Sequence, residues 1–381
     1  MINPSGTNYS LAAEAKQRKE IVDKLESLYG SWGYQKIDTP VLELYDAKHP
    51  RKEQSFKLTD KDSGVLTLRS DFTPAIAKMV RAELDTNTAY RFQYSGKVWQ
   101  AINPDISRTR EFTQIGLELI NISNARADAE LINLARESVR ITGLKPKIEI
   151  GNPGFVRALF SLAKIPATIT SKLANAIDRK DYAGIQLLIE PLNLAKDLHQ
   201  ALIKLVDLYG DRNILKQAHK IAPWPETKIE LDRLDEVLEE FSDSGDLLVD
   251  LGIARRLSYY TSMTFRAYTY DFGSPLLGGG RYDGALLPYS AGFSIGLERL
   301  LAALPETQTS NKSFVLALDD KRAEKLRAAG YIVERSLSSD IDSARKTAKS
   351  KGIPYLLTLD GLEPILANPC LETLESILNE D

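Results

Sequence analysis

Residues 110–120 contain a polar row whose spacing could bind a small polar molecule. Side chains alternate between the two faces of a strand, so Gln114, Gly116 and Glu118 would share one face while their apolar neighbours face the core. The polar ends of the row would lie about 13 Å apart at about 3.3 Å per residue. The glycine between them would let a ligand approach the backbone. Taken alone, such a row is more often a solvated sheet face.

Two further segments contain residues that could line a pocket. Residues 277–284 contain three consecutive glycines followed by Arg-Tyr282, which indicates either close backbone approach or a plain hairpin turn. This segment lacks the Lys-Ser/Thr ending of a phosphate-binding loop and the spacing of a dinucleotide-binding fingerprint. Tyr259 and Tyr260 are adjacent, so on a strand one could line a pocket while the other packs in the core. Ordinary aromatic packing is an equally good explanation of the pair.

The composition limits the class of protein. The 381 residues predict two or three domains, and 43% hydrophobic with 27% charged residues is typical of a globular protein. The net charge of -3 gives no electrostatic support for strong nucleic-acid binding. Cys370 is the only cysteine and His49, His199 and His219 are scattered, so we expect no disulfide, metal or cofactor. The absence of a long apolar run and of a signal peptide predicts a cytoplasmic protein without a membrane span.

Periodicity predicts an α+β fold with an antiparallel sheet flanked by helices on one face. The expected helices span 11–32, 73–85, 125–142 and 296–304, and the expected strands span 34–39, 65–69, 90–96, 110–120, 148–150, 247–252, 257–268, 276–278 and 291–295. A helical insertion at about 155–245 interrupts this first domain, 1–304. A linker, 305–312, then precedes a small α/β domain, 313–381.

Together these segments resemble histidyl-tRNA synthetase, a class II aminoacyl-tRNA synthetase, across most of residues 4–304. Seven matching stretches follow in the order of that family: 4–7, 33–40 (motif 1), 68–73, 108–114 (the end of motif 2), 255–260, 278–284 and 292–299 (motif 3). Any single match could arise by chance, but seven in the same order make chance a poor explanation. The resemblance therefore implies a class II synthetase-like fold.

The resemblance also implies a histidine-binding site. Its matched residues are Asp71, Thr73, Gln114, Glu118, Arg255, Tyr259, Tyr260 and Tyr282. Asp71 and Gln114 match groups that hold the α-amino end of histidine, and Glu118 and Tyr260 match groups that contact the imidazole. Arg255 matches an arginine near the carboxylate. The set is chemically reasonable, because imidazole offers one N–H donor and one acceptor that a carboxylate and a phenol can satisfy.

The positions that handle ATP in the family are altered. Gln100 stands where motif 2 has the arginine that clamps the α-phosphate, and Ile102 stands where it has a glutamate. A fixed guanidinium is the expected stabiliser of the charge that builds up during adenylation, so adenylation is expected to be lost. Arg108 and Arg299 still match phosphate-contacting arginines, which leaves weak nucleotide binding possible. Arg256 also replaces a glycine of the family.

In this family, loss of aminoacylation together with a retained histidine pocket implies a regulatory subunit of the short-form ATP phosphoribosyltransferase. The implied protein is not an enzyme. It would activate the catalytic subunit in a hetero-oligomer, confer feedback inhibition by histidine in the first step of histidine biosynthesis, and self-dimerise through the motif 1 region. The C-terminal 313–381 is shorter than the family's anticodon-binding domain, and its alternation of strands and helices is compatible with a reduced version of that domain. Its final stretch, 371–378, predicts an acidic amphipathic helix, so tRNA binding is not expected. The alternatives are a working histidyl-tRNA synthetase and a synthetase-like sensor of amino acids or tRNA.

Overall fold

The computed structural model describes residues 3–47, 49, 51–62, 64–85, 88–105, 108–254, 259–305, 314–366 and 371–379. The chain divides into two compact units, Met1–Pro305 and Glu306–Asp381. Apart from Pro305, the expected linker lies outside the described residues. Within the described ranges, no helix has both the length and the apolar character needed to cross a membrane.

The first unit alternates helices and strands before and after a helical insertion. Its strands are β1 (Gln35–Lys36), β2 (Leu42–Leu44), β3 (Lys57–Asp60), β4 (Gly64–Leu68), β5 (Tyr90–Trp99), β6 (Glu111–Ile120), β7 (Pro146–Gly151), β8 (Tyr209–Gly210), β9 (Leu247–Asp250), β10 (Thr264–Thr269), β11 (Phe272–Arg281) and β12 (Ser290–Gly296). Its helices are α1 (Ala12–Ser31), α2 (Thr73–Glu83), α3 (Ala125–Arg140), α4 (Pro153–Leu162), α5 (Ala167–Asp178), α6 (Tyr182–Ile189), α7 (Lys196–Lys204), α8 (Ile214–Ile221), α9 (Pro225–Glu239) and α10 (Leu297–Ala303).

Local sequence signals set the helix ends that matter for the site. Helix α1 ends before Gly33, whose φ of 83° lies in the left-handed region that glycine adopts without strain. Helix α2 has Pro74 in its first turn, where a missing N–H costs nothing. Asn124 caps α3 by accepting a hydrogen bond from the backbone N–H of Ala127 at 2.8 Å. These three helices therefore begin or end within two residues of the predicted bounds.

One large sheet organises the first unit. Among the described residues, nine strands are ordered β1-β5-β6-β12-β11-β10-β7-β9-β8. The pairs are antiparallel except for β1 with β5 and β7 with β9. Strand β6 lies between β5 and β12, so its backbone is hydrogen-bonded on both sides. This interior position holds the polar row of β6 in a fixed register.

Helices cover both faces of this sheet. Helix α1 contacts β5 and β6, and α3 contacts β7, β10, β11 and β12, so both pack on the face of Leu117. The prediction that helices lie on one face only is wrong, because α2 packs through Ile76 and Val80 against Phe92 and Tyr94 of β5. Those two aromatic residues pair with Glu118 and Gly116 across the ladder and share the face of the polar row.

Four other predictions differ from the structure. The strand expected at 34–39 is reduced to β1, and the strand expected at 257–268 begins only at β10 within the described residues. A small sheet of order β2-β4-β3 was predicted only at its middle strand. The insertion contains α4 to α9 as expected, together with the short strand β8, which was not predicted.

The second unit is a small α/β structure. Its strands are β13 (Phe314–Ala317), β14 (Ile332–Arg335), β15 (Tyr355–Leu357) and β16 (Leu362–Pro364), and its helices are α11 (Asp320–Ala328), α12 (Ile341–Lys351) and α13 (Leu371–Asn379). The sheet order is β14-β13-β15-β16, parallel except for β16. Leu326 and Leu374 pack from α11 and α13 on one face, and Ala344 and Ala348 pack from α12 on the other. The predicted α+β class with a helical insertion and an α/β region is thus confirmed.

Candidate functional site

Strand β6 is buried on both faces. Ile115, Leu117 and Leu119 have no exposed surface and pack in the main core, as predicted. Gln114 and Glu118 point to the other face, yet they are only 5% and 2% exposed. The interpretation of the row as a solvated sheet face is therefore wrong, because α2 and the aromatic residues of β5 cover it.

The glycine of the row accommodates a side chain of the protein itself. A Cβ on Gly116 would lie 2.4 Å from the hydroxyl oxygen of Tyr94 and 2.6 Å from the carbonyl oxygen of Phe293. Tyr94 is buried and stacks on Phe72 with 4.4 Å between ring centroids. The expected close approach at Gly116 is present, but the group that approaches is Tyr94. No sequence pattern singled out Tyr94, because only the pairing of β5 with β6 brings the two residues together.

Glu118 accepts hydrogen bonds from two hydroxyl groups at one end of the row. Thr73 Oγ1 donates to Glu118 Oε1 at 2.6 Å, and the Tyr282 hydroxyl donates to Glu118 Oε2. Gly292 lies directly beside the carboxylate, where a Cβ would be 2.2 Å from Oε2. Burial raises the pKa of Glu118 to about 8, although the hydrogen bonds from Thr73 and Tyr282 lower it. The carboxyl group therefore holds a proton near neutral pH.

This raised pKa predicts how stability depends on pH in the absence of ligand. The folded pKa of Glu118 is about 8 and the ordinary value is 4.5, so the folded state binds more protons between these values. The contribution to stability is fully present below pH 4.5 and is lost as the pH rises through 8. We expect the thermal midpoint to fall by several degrees between pH 6 and pH 9, with a smaller fall in Glu118→Gln. Scanning calorimetry across that range measures both slopes, and equal slopes would contradict the assignment.

Asp71 lies at the other end of the row. Gln114 Nε2 donates to Asp71 Oδ1 at 3.1 Å, and Arg51 Nε donates to Asp71 Oδ2 at 2.9 Å. Both partners of this ion pair are mostly buried, with 25% of the Arg51 side chain and 15% of the Asp71 side chain exposed. The sequence did not indicate Arg51, because it precedes Asp71 by twenty residues and belongs to no periodic segment.

Three tyrosines form an aromatic wall beside these groups. Tyr259 stacks on Tyr282 with 5.4 Å between ring centroids and meets Tyr260 edge-on at 5.0 Å. The expectation that Tyr259 and Tyr260 lie on a strand is wrong, since they precede β10. Arg157 of α4 fixes this segment by donating to the carbonyl oxygens of Tyr260 at 3.1 Å and Thr261 at 2.6 Å.

A buried ion pair fixes the position of Tyr282. The neighbouring Arg281 is 2% exposed and donates to Asp128 Oδ1 of α3 from Nε at 2.9 Å and from Nη2 at 2.6 Å. Its Nη1 also donates to Asp283 Oδ1 at 2.9 Å. The three-glycine segment is therefore the end of strand β11, and the hairpin-turn explanation is wrong.

Gln100, Arg108 and Arg299, which match positions that handle ATP, each have a polar partner in the chain. Gln100 Nε2 donates to the carbonyl oxygen of Ser70 at 3.1 Å, and Ile102 is half-buried. Arg108 is largely exposed and pairs with Asp105 at 3.2 Å. Arg299 donates from Nη1 to the carbonyl oxygen of Pro275 at 3.0 Å, and burial followed by the charge of Arg108 lowers its pKa.

The structure thus brings together most of the predicted histidine-site residues. Those in contact through hydrogen bonds or ring stacking are Asp71, Thr73, Gln114, Glu118, Tyr259, Tyr260 and Tyr282. Arg255 and its neighbour Arg256 lie outside the described residues. Chemically, one end presents a carboxyl group with two hydroxyl donors, and the other presents an adjacent anion and cation. This arrangement suits a molecule with a polar ring at one end and charged groups at the other.

Sequence comparison finds similar proteins over most of the chain. The histidyl-tRNA synthetase family model matches residues 6–300. The ATP phosphoribosyltransferase regulatory subunit of Thermus thermophilus is 39% identical over 354 residues, which cover 93% of this chain and 96% of that protein. The protein of the same name from Deinococcus radiodurans is 38% identical over 356 residues, which cover 92% of this chain and 87% of that one.

Structure comparison agrees with these findings. A crystal structure from Bacillus halodurans described as an ATP phosphoribosyltransferase regulatory subunit/histidyl-tRNA synthetase superposes with a TM-score of 0.80 at 30% identity, covering 91% of this chain and 96% of that one. Histidyl-tRNA synthetase from a Nostoc species superposes with a TM-score of 0.77 at 20% identity, covering 94% of this chain and 91% of that one. At that identity the second likeness concerns the fold alone. The predicted class II synthetase-like fold is confirmed.

Proposed function

We propose, because the chain belongs to the histidyl-tRNA synthetase family and within it to the ATP phosphoribosyltransferase regulatory subunits, that it binds histidine and thereby regulates the short-form catalytic subunit. As a regulatory subunit the chain does not perform the phosphoribosyl transfer itself. One observation supports the histidine part of this proposal above the others. Thr73 and Tyr282 both donate hydrogen bonds to the buried Glu118, whereas Gln100 stands where motif 2 of the family has an arginine.

Histidine fits the two ends of the site. The imidazole has one N–H donor and one acceptor, which the Glu118 carboxyl and the hydroxyl groups around it can satisfy. The α-ammonium group would interact with Asp71 and with the buried Gln114 Oε1, which has no protein partner within the described residues. The proposed histidine-binding residues are Asp71, Thr73, Gln114, Glu118, Tyr259, Tyr260 and Tyr282, together with Arg255 from the sequence match.

Regulation requires that histidine bind one state of the assembly more tightly than another. A ligand shifts an equilibrium only by its differential affinity for the two states. The tyrosine wall is suited to transmit histidine binding to the helical insertion. Arg157 of that insertion donates to the carbonyl oxygens of the segment that contains Tyr259 and Tyr260. We place no tRNA in this function, because the net charge of -3 offers little attraction for a polyanion.

Reconstitution with the catalytic subunit tests the proposal. Adding the purified chain to a short-form catalytic subunit should raise the phosphoribosyltransferase rate at sub-saturating substrate by about 5- to 150-fold, the range that coupling between binding events usually spans. Histidine should then lower that rate in the complex. A chain with Glu118→Ala should still activate while the complex loses its response to histidine. A rate that is insensitive to the chain would refute the regulatory role proposed here.

Self-association through the motif 1 region is the second part of the proposal. The small sheet that follows this region has one apolar face, hereafter the leucine face, formed by Leu42, Leu44, Leu58, Leu66 and Leu68. Leu42, Leu44 and Leu58 are 52%, 64% and 43% exposed. Their pairing across β2, β4 and β3 aligns these side chains on one side, and a contiguous exposed apolar patch of this kind marks an interaction surface.

A charge on the leucine face should therefore disrupt the dimer. We expect Leu44→Asp to convert the dimer to a monomer, because a buried unpaired carboxylate costs more than an interface of this type can offset. Sedimentation equilibrium measures the mass. Leu187→Asp is the matched control, since Leu187 on α6 is also exposed, at 72%, and lies outside the leucine face. Unchanged association in Leu44→Asp would place the interface elsewhere.

A further inference from the structure

Arg51 adds to the candidate site a cation that no matched motif contains. It lies between β2 and β3, and its Nε donates to Asp71 Oδ2 at 2.9 Å. Burial raises the pKa of the Tyr259 hydroxyl and the Arg51 guanidinium lowers it, so the guanidinium lies near the tyrosine wall. Arg51 therefore belongs to the same cluster as Asp71 and Gln114.

The guanidinium has donor groups left for a ligand. An arginine has five N–H donors arranged in a planar fork. Within the described residues, Arg51 uses Nε on Asp71 and directs Nη1 to Gln54 Oε1 at a long 3.5 Å, whereas Nη2 donates to no protein atom. Arg51 is anchored through one edge and still has N–H groups that could form charge-assisted bonds with a carboxylate.

We propose that Arg51 binds the α-carboxylate of the amino acid and so selects a zwitterion over an amine; this rests on the histidine-binding function proposed above. The head of an amino acid contains an ammonium and a carboxylate on adjacent atoms. The pocket presents the complementary pair, the Asp71 carboxylate beside the Arg51 guanidinium, at 2.9 Å from each other. A zwitterion adds no net charge to this mostly buried pair, whereas an amine without a carboxylate adds a positive charge beside Arg51 and offers no anion to its remaining N–H groups.

A comparison of two ligands distinguishes a direct contact between Arg51 and the ligand carboxylate from an indirect effect of Arg51 on the position of Asp71. Histamine has the imidazole and the amine of histidine and lacks the carboxylate. The readout is the ratio of the two dissociation constants, histamine to histidine, measured by calorimetry on the full chain. We expect Arg51→Ala to weaken histidine binding by roughly 10- to 100-fold, the usual effect of a charged hydrogen bond, and histamine binding to stay the same or improve. The ratio should therefore fall towards one, with Arg51→Lys intermediate.

A control variant and a folding check distinguish the loss of a ligand contact from a general loss of binding. Arg212→Ala is the matched control, because Arg212 pairs with Asp235 at 2.5 Å in the helical insertion and should leave the ratio unchanged. Thermal midpoints identify any variant that fails to fold, and Arg51→Gln then replaces Arg51→Ala. An unchanged ratio in folded Arg51 variants, with both affinities lost equally or neither lost, would overturn the inference. Histidine binding that is insensitive to Glu118→Ala would instead overturn the proposed function.

Discussion

Glu118→Ala is expected to abolish histidine binding, with an affinity at least a hundredfold weaker, while the protein remains folded. The carboxyl group is buried and lies where two hydroxyl groups converge, so its removal leaves Thr73, Tyr282 and the bound imidazole without their common partner. Unpaired buried polar groups on both protein and ligand account for losses of this size. Folding should survive, because removing the carboxyl group also removes the cost of burying a polar group.

Isothermal titration calorimetry measures this effect, and the chain offers a matched control. Glu230 of α9 is another carboxyl group whose pKa is raised by burial, but its side-chain hydrogen-bond partners, Asn152 and Ser262, are not residues of the proposed histidine site. Glu230→Ala should therefore bind histidine with the affinity of the unmodified protein. If Glu118→Ala kept that affinity too, the pocket would not be the histidine site.

The second large effect concerns adenylation, which we expect to be absent. Transfer of the α-phosphate develops negative charge that a fixed guanidinium stabilises, and loss of one such donor costs on the order of a hundredfold or more in rate. In this chain Gln100 occupies the position of that guanidinium, and its side-chain amide donates a hydrogen bond to the carbonyl oxygen of Ser70. Ile102, at the position of the family's glutamate, has no ionisable group at all.

The remaining matched arginines do not replace the missing group. Arg108 is largely exposed and neutralised by Asp105. Arg299 donates to the carbonyl oxygen of Pro275. Burial and the charge of Arg108 lower the pKa of Arg299, because the two guanidinium groups repel each other. Weak nucleotide binding at these residues would be compatible with the account, whereas catalysis of adenylation would not.

Sequence patterns predicted the local structure around the site well. The alternation of side chains on β6 correctly placed Leu117 on one face and Gln114 and Glu118 on the other. Successive side chains of a strand point to opposite faces, and β6 is an interior strand whose register is fixed on both sides. Gly33 and Pro74 predicted helix ends because each has a backbone requirement that acts within one turn. Such signals depend only on neighbouring residues, so one sequence is enough to recognise them.

Contacts between distant segments could not be predicted in this way. The Tyr282–Glu118 hydrogen bond spans 164 residues, and its existence follows from the order of β6, β12 and β11. Arg51 reaches Asp71 from an irregular segment, and Tyr94 covers Gly116 from a neighbouring strand. The polar row therefore looked solvent-exposed in sequence and is buried in the structure. Only the family resemblance indicated that these segments meet.

ATP–pyrophosphate exchange by the isolated chain, at a histidine concentration that calorimetry shows to be saturating, tests the proposed function most directly. We predict clear histidine binding together with exchange at least a hundredfold slower than that of a histidyl-tRNA synthetase assayed beside it. Exchange at a rate comparable to the synthetase would contradict the proposed function, because it would mean that histidine binding and the phosphate chemistry had both been retained.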